Sequence, residues 1–216
     1  MSARTPRIAA LACTLLLLAI GTSTAQATTW GNSGGSSFTA TSTSLLGISN
    51  GSVTLYCPGG GGITASVNAG TTAASWTAFT GATMNWGAPP APAGTNCAQG
   101  GINYTLACTA GFTATAHSPA TDPSPGTLGA TTTGSLALSC VFERTATGQV
   151  NCSIAGTIAG ATYTNGAPAT FAFPTASTLI ARDGTSMCFL GNNVAVSLSA
   201  TTFTTTTATP PRLYHG

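Results

Sequence analysis

The sequence predicts an all-β fold, either an antiparallel β-sandwich or a flattened barrel, stapled by disulfide bonds. Threonine, valine, isoleucine and aromatic residues recur in short runs, and glycine and proline separate these runs. Lysine is absent and glutamate occurs once, at Glu143, so the chain lacks the residues that usually cover exposed helix faces. Several runs alternate apolar and polar residues with a period of two, which is typical of strands with one buried face.

Four of the alternating runs place a cysteine on the apolar side of the predicted strand. These runs are 53–57, 102–108, 136–142 and 150–154, with Cys57, Cys108, Cys140 and Cys152 respectively. Because residues of one parity share a face of a strand, we expect these sulfur atoms to point into the core. Further strands are predicted at 38–44, 63–68, 75–79, 169–173, 177–181 and 194–203.

The turn residues predict antiparallel hairpins between these strands. Asn50-Gly51, Asn165-Gly166 and Asp183-Gly184 each stand between two strand-like runs. Such pairs favour two-residue turns because asparagine, aspartate and glycine tolerate a positive φ.

The first 27 residues have the pattern of a cleaved secretory signal peptide. Arg4 and Arg7 precede an apolar run at 8–20, and Ala25 and Ala27 form a small-x-small cleavage site. We expect cleavage after Ala27 and a secreted, extracellular or cell-surface location. No later stretch reaches the roughly 20 apolar residues that cross a bilayer, so we expect no transmembrane segment in the mature chain.

We expect a single β domain over residues 36–205. It would lie between a flexible N-terminal segment at 28–35 and a flexible C-terminal tail at 206–216. The alternative is two smaller β units divided at the proline-rich stretch 118–125, which we interpret as a surface loop within one domain.

Six cysteines remain after the expected cleavage, because Cys13 lies in the signal peptide. An even number in an exported chain predicts a disulfide framework, although six cysteines allow fifteen connectivities. A preference for loops of moderate length favours pairing in order, Cys57 with Cys97, Cys108 with Cys140 and Cys152 with Cys188. No pair has C-x-x-C spacing, and His117 and His215 lie far from any ligand cluster, so we expect no metal and no cofactor.

The charge inventory argues against catalysis and against nucleic-acid binding. Three arginines and three carboxylates follow residue 27, which gives a formal charge of zero. Asp122 lies in the proline-rich stretch, Asp183 in a predicted turn and Glu143 at a strand end, so no acid pair is evident and we expect no enzymatic activity. Three arginines without lysine cannot form a stripe that neutralises many phosphates.

Aromatic residues are the candidate ligand-binding residues. Trp86 precedes a proline-rich loop, and we select it together with Trp76 because exposed aromatic faces stack on sugar rings and bury hydrocarbon. Trp30, Tyr56 and Tyr104 are weaker candidates. Core packing is the alternative interpretation for most of these rings.

The last third of the chain carries a family resemblance. The stretches 152–157 (CSIAGT), 161–165 (ATYTN) and 188–190 (CFL), with Leu179, resemble a pattern of secreted bacterial β-rich proteins of unknown function. The chain is more faintly similar to secreted alkane-oxidation activator proteins, which are associated with cell-surface and biofilm behaviour. The resemblance implies export, a β-sandwich and sequential disulfides, but supplies no catalytic residue. Cys108 and Cys140 are an addition to the pattern.

Together these features favour a non-enzymatic structural or adhesive protein of the cell envelope or extracellular matrix. We expect it to act through weak self-association or surface adhesion, since an uncharged exterior provides little repulsion between copies. The alternative is a binding module for a small apolar or carbohydrate ligand.

Overall fold

The computed structural model describes residues 29–88, 91, 94–122 and 126–216, and the predicted signal peptide lies outside this part. The described chain is all β, as the composition predicts. Its strands are β1 (Trp30–Ser33), β2 (Ser37–Ser42), β3 (Leu46–Ser49), β4 (Thr54–Cys57), β5 (Gly62–Ser66), β6 (Trp76–Trp86), β7 (Cys97–Gln99), β8 (Ile102–Ser118), β9 (Thr131–Arg144), β10 (Gln149–Thr164), β11 (Thr170–Phe173), β12 (Ala176–Asp183), β13 (Val194–Leu198), β14 (Thr201–Thr205) and β15 (Arg212–His215).

Strands β2 to β14 form one antiparallel sheet of 13 strands that closes on itself. Strands β8, β9 and β10 are 17, 14 and 16 residues long and pair side by side. The other ten form five collinear pairs, in which β2 leads into β3, β4 into β5, β6 into β7, β11 into β12 and β13 into β14. Each long strand and each collinear pair occupies one position, so eight positions follow one another in chain order around a closed barrel. The pairing of β13 with β3 and of β14 with β2 completes the ring.

In each of the eight strand positions of the ring, side chains from alternate residues point inward and fill the barrel. Four phenylalanine rings meet near its middle, with centroids of Phe79 lying 5.9 Å from Phe38, 5.5 Å from Phe112 and 5.6 Å from Phe171. Tilted and edge-to-face contacts of this kind are favourable beyond the area that they bury. The interior is a packed core, and the residues of opposite parity form the outer surface.

The three disulfide bonds have the sequential pairing that loop length favours: Cys57–Cys97, Cys108–Cys140 and Cys152–Cys188. The first joins β4 to β7 and the second joins directly paired residues of β8 and β9. The third anchors the loop 184–193 to β10. All six cysteines are buried, as their parity predicts.

The loop 184–193 covers one end of the barrel. Its Phe189 ring lies 5.0 Å from Tyr104 and 6.0 Å from Phe142, measured between centroids, and its Leu190 is fully buried. Asp183-Gly184 is therefore the start of a long connection, whereas the sequence predicted a two-residue turn. The carboxylate of Asp183 accepts a hydrogen bond from the Cys188 amide at 2.8 Å and so orders this loop.

Two other predictions about strands and turns need adjustment. Residues 194–203 form parts of two strands, because the chain changes neighbours between Leu198 and Thr201. Of the three predicted turn glycines, Gly51 has a positive φ, at 91°, whereas Gly166 and Gly184 do not. The proline-rich stretch 118–125 lies in the sequence between the main parts of β8 and β9, which pair with each other along their length, so the strands before and after it belong to one sheet.

The two end segments, which the sequence predicted to be flexible, form strands. β1 and β15 pair in a separate two-stranded sheet over the other end of the barrel, and Trp30 and Leu213 are each 1% exposed. Asn165 fastens this sheet to the barrel, because its side chain accepts from the Leu213 amide at 2.8 Å and donates to the Leu213 carbonyl at 2.7 Å. The sequence did not reveal these two strands because β1 and β15 lie at opposite ends of the chain and pair with each other.

We predict that the double substitution Cys108→Ala with Cys140→Ala lowers the free energy of unfolding by about 3 kcal/mol. The bond spans 32 residues and restricts the unfolded chain. Urea denaturation measures the difference, and Ser139→Ala on the outer face of β9 serves as the control with little expected effect. Equal stability of the double variant and the wild-type protein would contradict the assignment of a stabilising role to this disulfide.

Asn165→Ala should destabilise the protein by about 1–3 kcal/mol, because it leaves the amide and carbonyl of buried Leu213 without partners. Asn103→Ala, at an exposed position of β8, is the matched control and should change stability by less than about 0.5 kcal/mol. Thermal or urea unfolding measures both. An Asn165 variant no less stable than the control would show that β15 does not depend on this side chain.

Candidate functional site

The two tryptophans predicted to bind a ligand lie in the core. Trp86 is fully buried, and its indole Nε1 donates to the Pro58 carbonyl oxygen at 3.0 Å. Trp76 is 2% exposed and donates to the Ala69 carbonyl at 2.8 Å. Neither ring presents a face to a ligand, so the predicted aromatic platform is not formed. The proline-rich context of Trp86 suggested exposure, but inward parity on β6 decides its position.

Tyr56 is the exposed ring among the weaker aromatic candidates. Its side chain is 55% exposed on the outer face of β4, whereas Trp30 and Tyr104 are buried. The sequence contained a signal for this difference, because Tyr56 has the opposite parity to the inward Leu55 and Cys57.

A buried polar cluster lies beneath the two-stranded sheet. The His117 Nε2 atom is 3.3 Å from Oδ2 of Asp122, and Nδ1 is 2.9 Å from the hydroxyl of Thr132. Thr127 donates to Asp122 through its amide, at 2.8 Å, and through its hydroxyl. The amide of Asp122 donates to the His215 carbonyl, which joins the cluster to β15.

This cluster has the residue order of a hydroxyl, an imidazole and a carboxylate, but its geometry suits a structural role. Thr132 and Asp122 are fully buried, and the side chain of His117 is as well. A catalytic hydroxyl needs access to a substrate, whereas here each polar group is used by a neighbour. The cluster therefore links β8, β9 and the connection between them to the two-stranded sheet of β1 and β15, the end sheet.

The environment of Asp122 lowers its pKa. Burial by itself raises the pKa, but the hydrogen bonds from the Thr127 hydroxyl and amide and from His117 outweigh burial and hold it below its ordinary value. These bonds favour the ionised carboxylate in the folded state.

A carboxyl with a lower pKa in the folded than in the unfolded protein stabilises the fold above the unfolded pKa, and this contribution disappears as the pH falls through the folded value. We therefore predict that stability declines below about pH 4 and that Asp122→Asn removes part of this decline. Thr127→Val, which removes one donor, should give an intermediate profile. Urea midpoints measured across this range test the prediction, and three superimposable profiles would refute it.

The remaining carboxylates do not join this cluster. Glu143 lies at the end of β9 and Asp183 at the end of β12, both at the opposite end of the barrel from Asp122. In the described ranges, no three histidine, cysteine, aspartate or glutamate side chains come close enough to hold a metal ion. Glu143 and Asp183 lie on strands that flank β10, and the Asp183 carboxylate accepts a hydrogen bond from the Cys188 amide.

Every charged side chain after residue 27 lies away from the middle of the barrel wall. These residues end β9 (Glu143, Arg144) and β12 (Arg182, Asp183), begin β15 (Arg212) or belong to the buried cluster (Asp122). Four adjacent strands, β6, β8, β9 and β10, consequently present an uncharged outer surface, which we call the neutral wall. Its residues are Thr77, Thr83, Asn85, Ala107, Thr109, Gly111, Thr113, Ser135, Ala137, Ser139, Val141, Ser153, Ala155 and Thr157.

Hydroxyl groups of the neutral wall are bound to the sheet beneath them. Thr109 donates to the Ser139 carbonyl oxygen at 3.5 Å, and Thr105 and Thr115, just beyond the wall on β8, donate to main-chain carbonyl oxygens of β9 at 3.5 and 3.4 Å. A shallow depression of about 350 Å³ crosses the wall beside Thr109 and Ala137. The wall therefore presents small side chains, some of them held in place by hydrogen bonds to the main chain, and few large apolar groups.

A second outer groove of about 390 Å³ crosses β3, β4 and β13 and includes Tyr56 and Leu45. No charged residue lines it. Strand parity predicts the outward position of these residues, but only the closed pairing of β3 with β13 brings the two sides of the groove together.

No known protein family, curated protein or solved structure matches this chain. Among the residues that the structure describes, there is no helix with the length and apolar character needed to traverse a membrane.

Proposed function

We propose that this protein is a non-enzymatic, secreted structural or adhesive protein of the cell envelope or extracellular matrix. It acts through weak self-association or adhesion of the neutral wall to uncharged surfaces. The observation that carries the proposal is the distribution of charge, since the charged side chains gather at strand ends and leave the middle of four adjacent strands uncharged.

Closure of the barrel supports association through the wall. An open sheet exposes unpaired main-chain groups at its edges, and these groups recruit strands from other copies. In the 13-stranded sheet the ring of pairings leaves no such full-length edge. Contact between copies then occurs face to face, and small side chains such as Thr109 and Ala137 bury little apolar area, which favours weak binding.

Secretion is supported by two features of different kinds. The chain begins with the pattern of a signal peptide, and three disulfide bonds are the usual equipment of proteins in oxidising compartments. Disulfide bonds also compensate for the scarcity of ion pairs, since among the described residues no arginine lies within 4.0 Å of a carboxylate oxygen.

We expect the wild-type protein to self-associate at high concentration, with the same affinity in dilute buffer and in about 1 M salt, because contact between uncharged walls is not screened. Thr109→Lys should weaken association, since it places a charge in the centre of the wall. Thr147→Lys is the matched control, because it makes the same change at an exposed turn between β9 and β10. Sedimentation velocity measures association for all three proteins.

Two outcomes would overturn the proposed role. One is a wild-type protein that stays monomeric at high concentration and does not coat an uncharged surface. The other is an equal loss of association in the Thr109 and Thr147 variants, which would attribute the effect to net charge and not to the wall.

A further inference from the structure

The groove across β3, β4 and β13 combines an aromatic ring with a concave, uncharged surface. Tyr56 is 55% exposed on one side, and Leu45 is 52% exposed at one end. Its volume of about 390 Å³ is close to that of the depression on the neutral wall, about 350 Å³, so the exposed ring and not the volume distinguishes this groove. The groove lies on β3, halfway round the ring of strands from β9, so it faces away from the neutral wall.

A glycine in the middle of β3 keeps this groove open. Gly47 pairs with Tyr56, and a Cβ atom added to it would lie 3.7 Å from the Ser199 hydroxyl and 4.0 Å from a Thr54 methyl group. These are ordinary contacts, so packing does not require glycine here. At Gly61, by contrast, an added Cβ would overlap the Trp86 ring. A glycine inside a strand lowers stability and often marks a bulge, a bend at a barrel corner, or a close approach by a ligand or another main chain. The pairing of β3 with β4 has no register shift at Gly47, so no bulge accounts for it.

Hydroxyl groups on both sides of the groove have free acceptor capacity. Ser197 donates to the Ser49 carbonyl at 3.2 Å, and Thr54 donates to the Ser49 hydroxyl at 3.0 Å. Ser199 donates to the Leu45 carbonyl at 3.4 Å and accepts from the Gly47 amide at 2.8 Å. Each hydroxyl oxygen has two lone pairs, so all three side chains retain at least one for a ligand that donates hydrogen bonds.

We propose that this groove binds a neutral saccharide chain, with a sugar ring stacked on Tyr56 above Gly47. A sugar has an apolar C–H face that suits the exposed ring and hydroxyl donors that suit Thr54, Ser197 and Ser199. A purely apolar ligand would remove the remaining acceptor lone pairs of these hydroxyls from water without offering them a donor. A charged saccharide would find no opposite charge in the groove.

The test uses the full secreted protein and the hexasaccharides of cellulose, xylan and amylose as probes. Titration calorimetry gives the Kd, and the NMR shift of the Gly47 amide locates the binding. At least one probe should bind with a Kd below about 10 mM and shift this amide. Tyr56→Ala should raise that Kd about tenfold, whereas Tyr56→Phe should leave it within about twofold because the ring remains.

Gly47→Val should abolish binding because the valine side chain fills the groove. Valine is favoured in β-strands, so the fold should tolerate this substitution. Gly111→Val is the matched control on the neutral wall, where an added Cβ also meets only ordinary contacts, and it should bind the probe like the wild-type protein. Circular dichroism and urea midpoints verify that both variants are folded.

The proposal is overturned if no neutral hexasaccharide binds up to about 10 mM, or if a folded Gly47 variant binds as well as the wild-type protein. Tighter binding of hexagalacturonate or of decanol at the Gly47 amide would also overturn it, in favour of a charged saccharide or an apolar ligand. Neither result bears on self-association through the wall, which is measured without a saccharide.

Discussion

Closure of the sheet is the constraint on which the remaining structure depends. Strands β13 and β14 pair with β3 and β2, so the last position of the ring is fastened to the first. This pairing determines which parity faces the enclosed core and brings β13 beside β3, where the outer groove forms. It also satisfies main-chain groups that would otherwise lie at an open edge. The disulfide bonds reinforce neighbouring elements of the ring, and the end sheet and the loop 184–193 cover its two ends.

Local pattern predicted much of this architecture, because a strand reveals its buried face through alternation. Cys57, Cys108 and Cys152 lie in the core for this reason, and moderate loop lengths anticipated their partners. Closure itself was not predictable in this way, since residues such as Thr41 and Thr204 pair across most of the chain. The end segments were misjudged for the same reason, because their burial depends on contacts with distant residues. Trp86 was misjudged although its inward parity on β6 was visible in the sequence, because the proline-rich loop after it suggested exposure.

The functional argument follows from how this chain divides its side chains. Apolar residues and cysteines fill the interior, and the few charges collect at strand ends. Small neutral residues therefore cover the wall, and Tyr56 is the large aromatic ring that the outer face of β4 exposes. A surface of this kind suits weak contact with neutral partners, including other copies and polysaccharides, because no charge must lose its hydration when the surfaces meet. The same scarcity of charge explains why disulfide bonds, and not ion pairs, reinforce the fold.

The most direct test of this account is an NMR measurement of contacts between β2 and β14. Closure pairs Thr41 with Thr204 and Ala40 with Thr205. Interstrand nuclear Overhauser effects between the main-chain protons of these residues are therefore predicted, as strong as those between β8 and β9. Their absence, together with rapid exchange of the amide protons of β14, would show an open sheet and contradict the closed barrel.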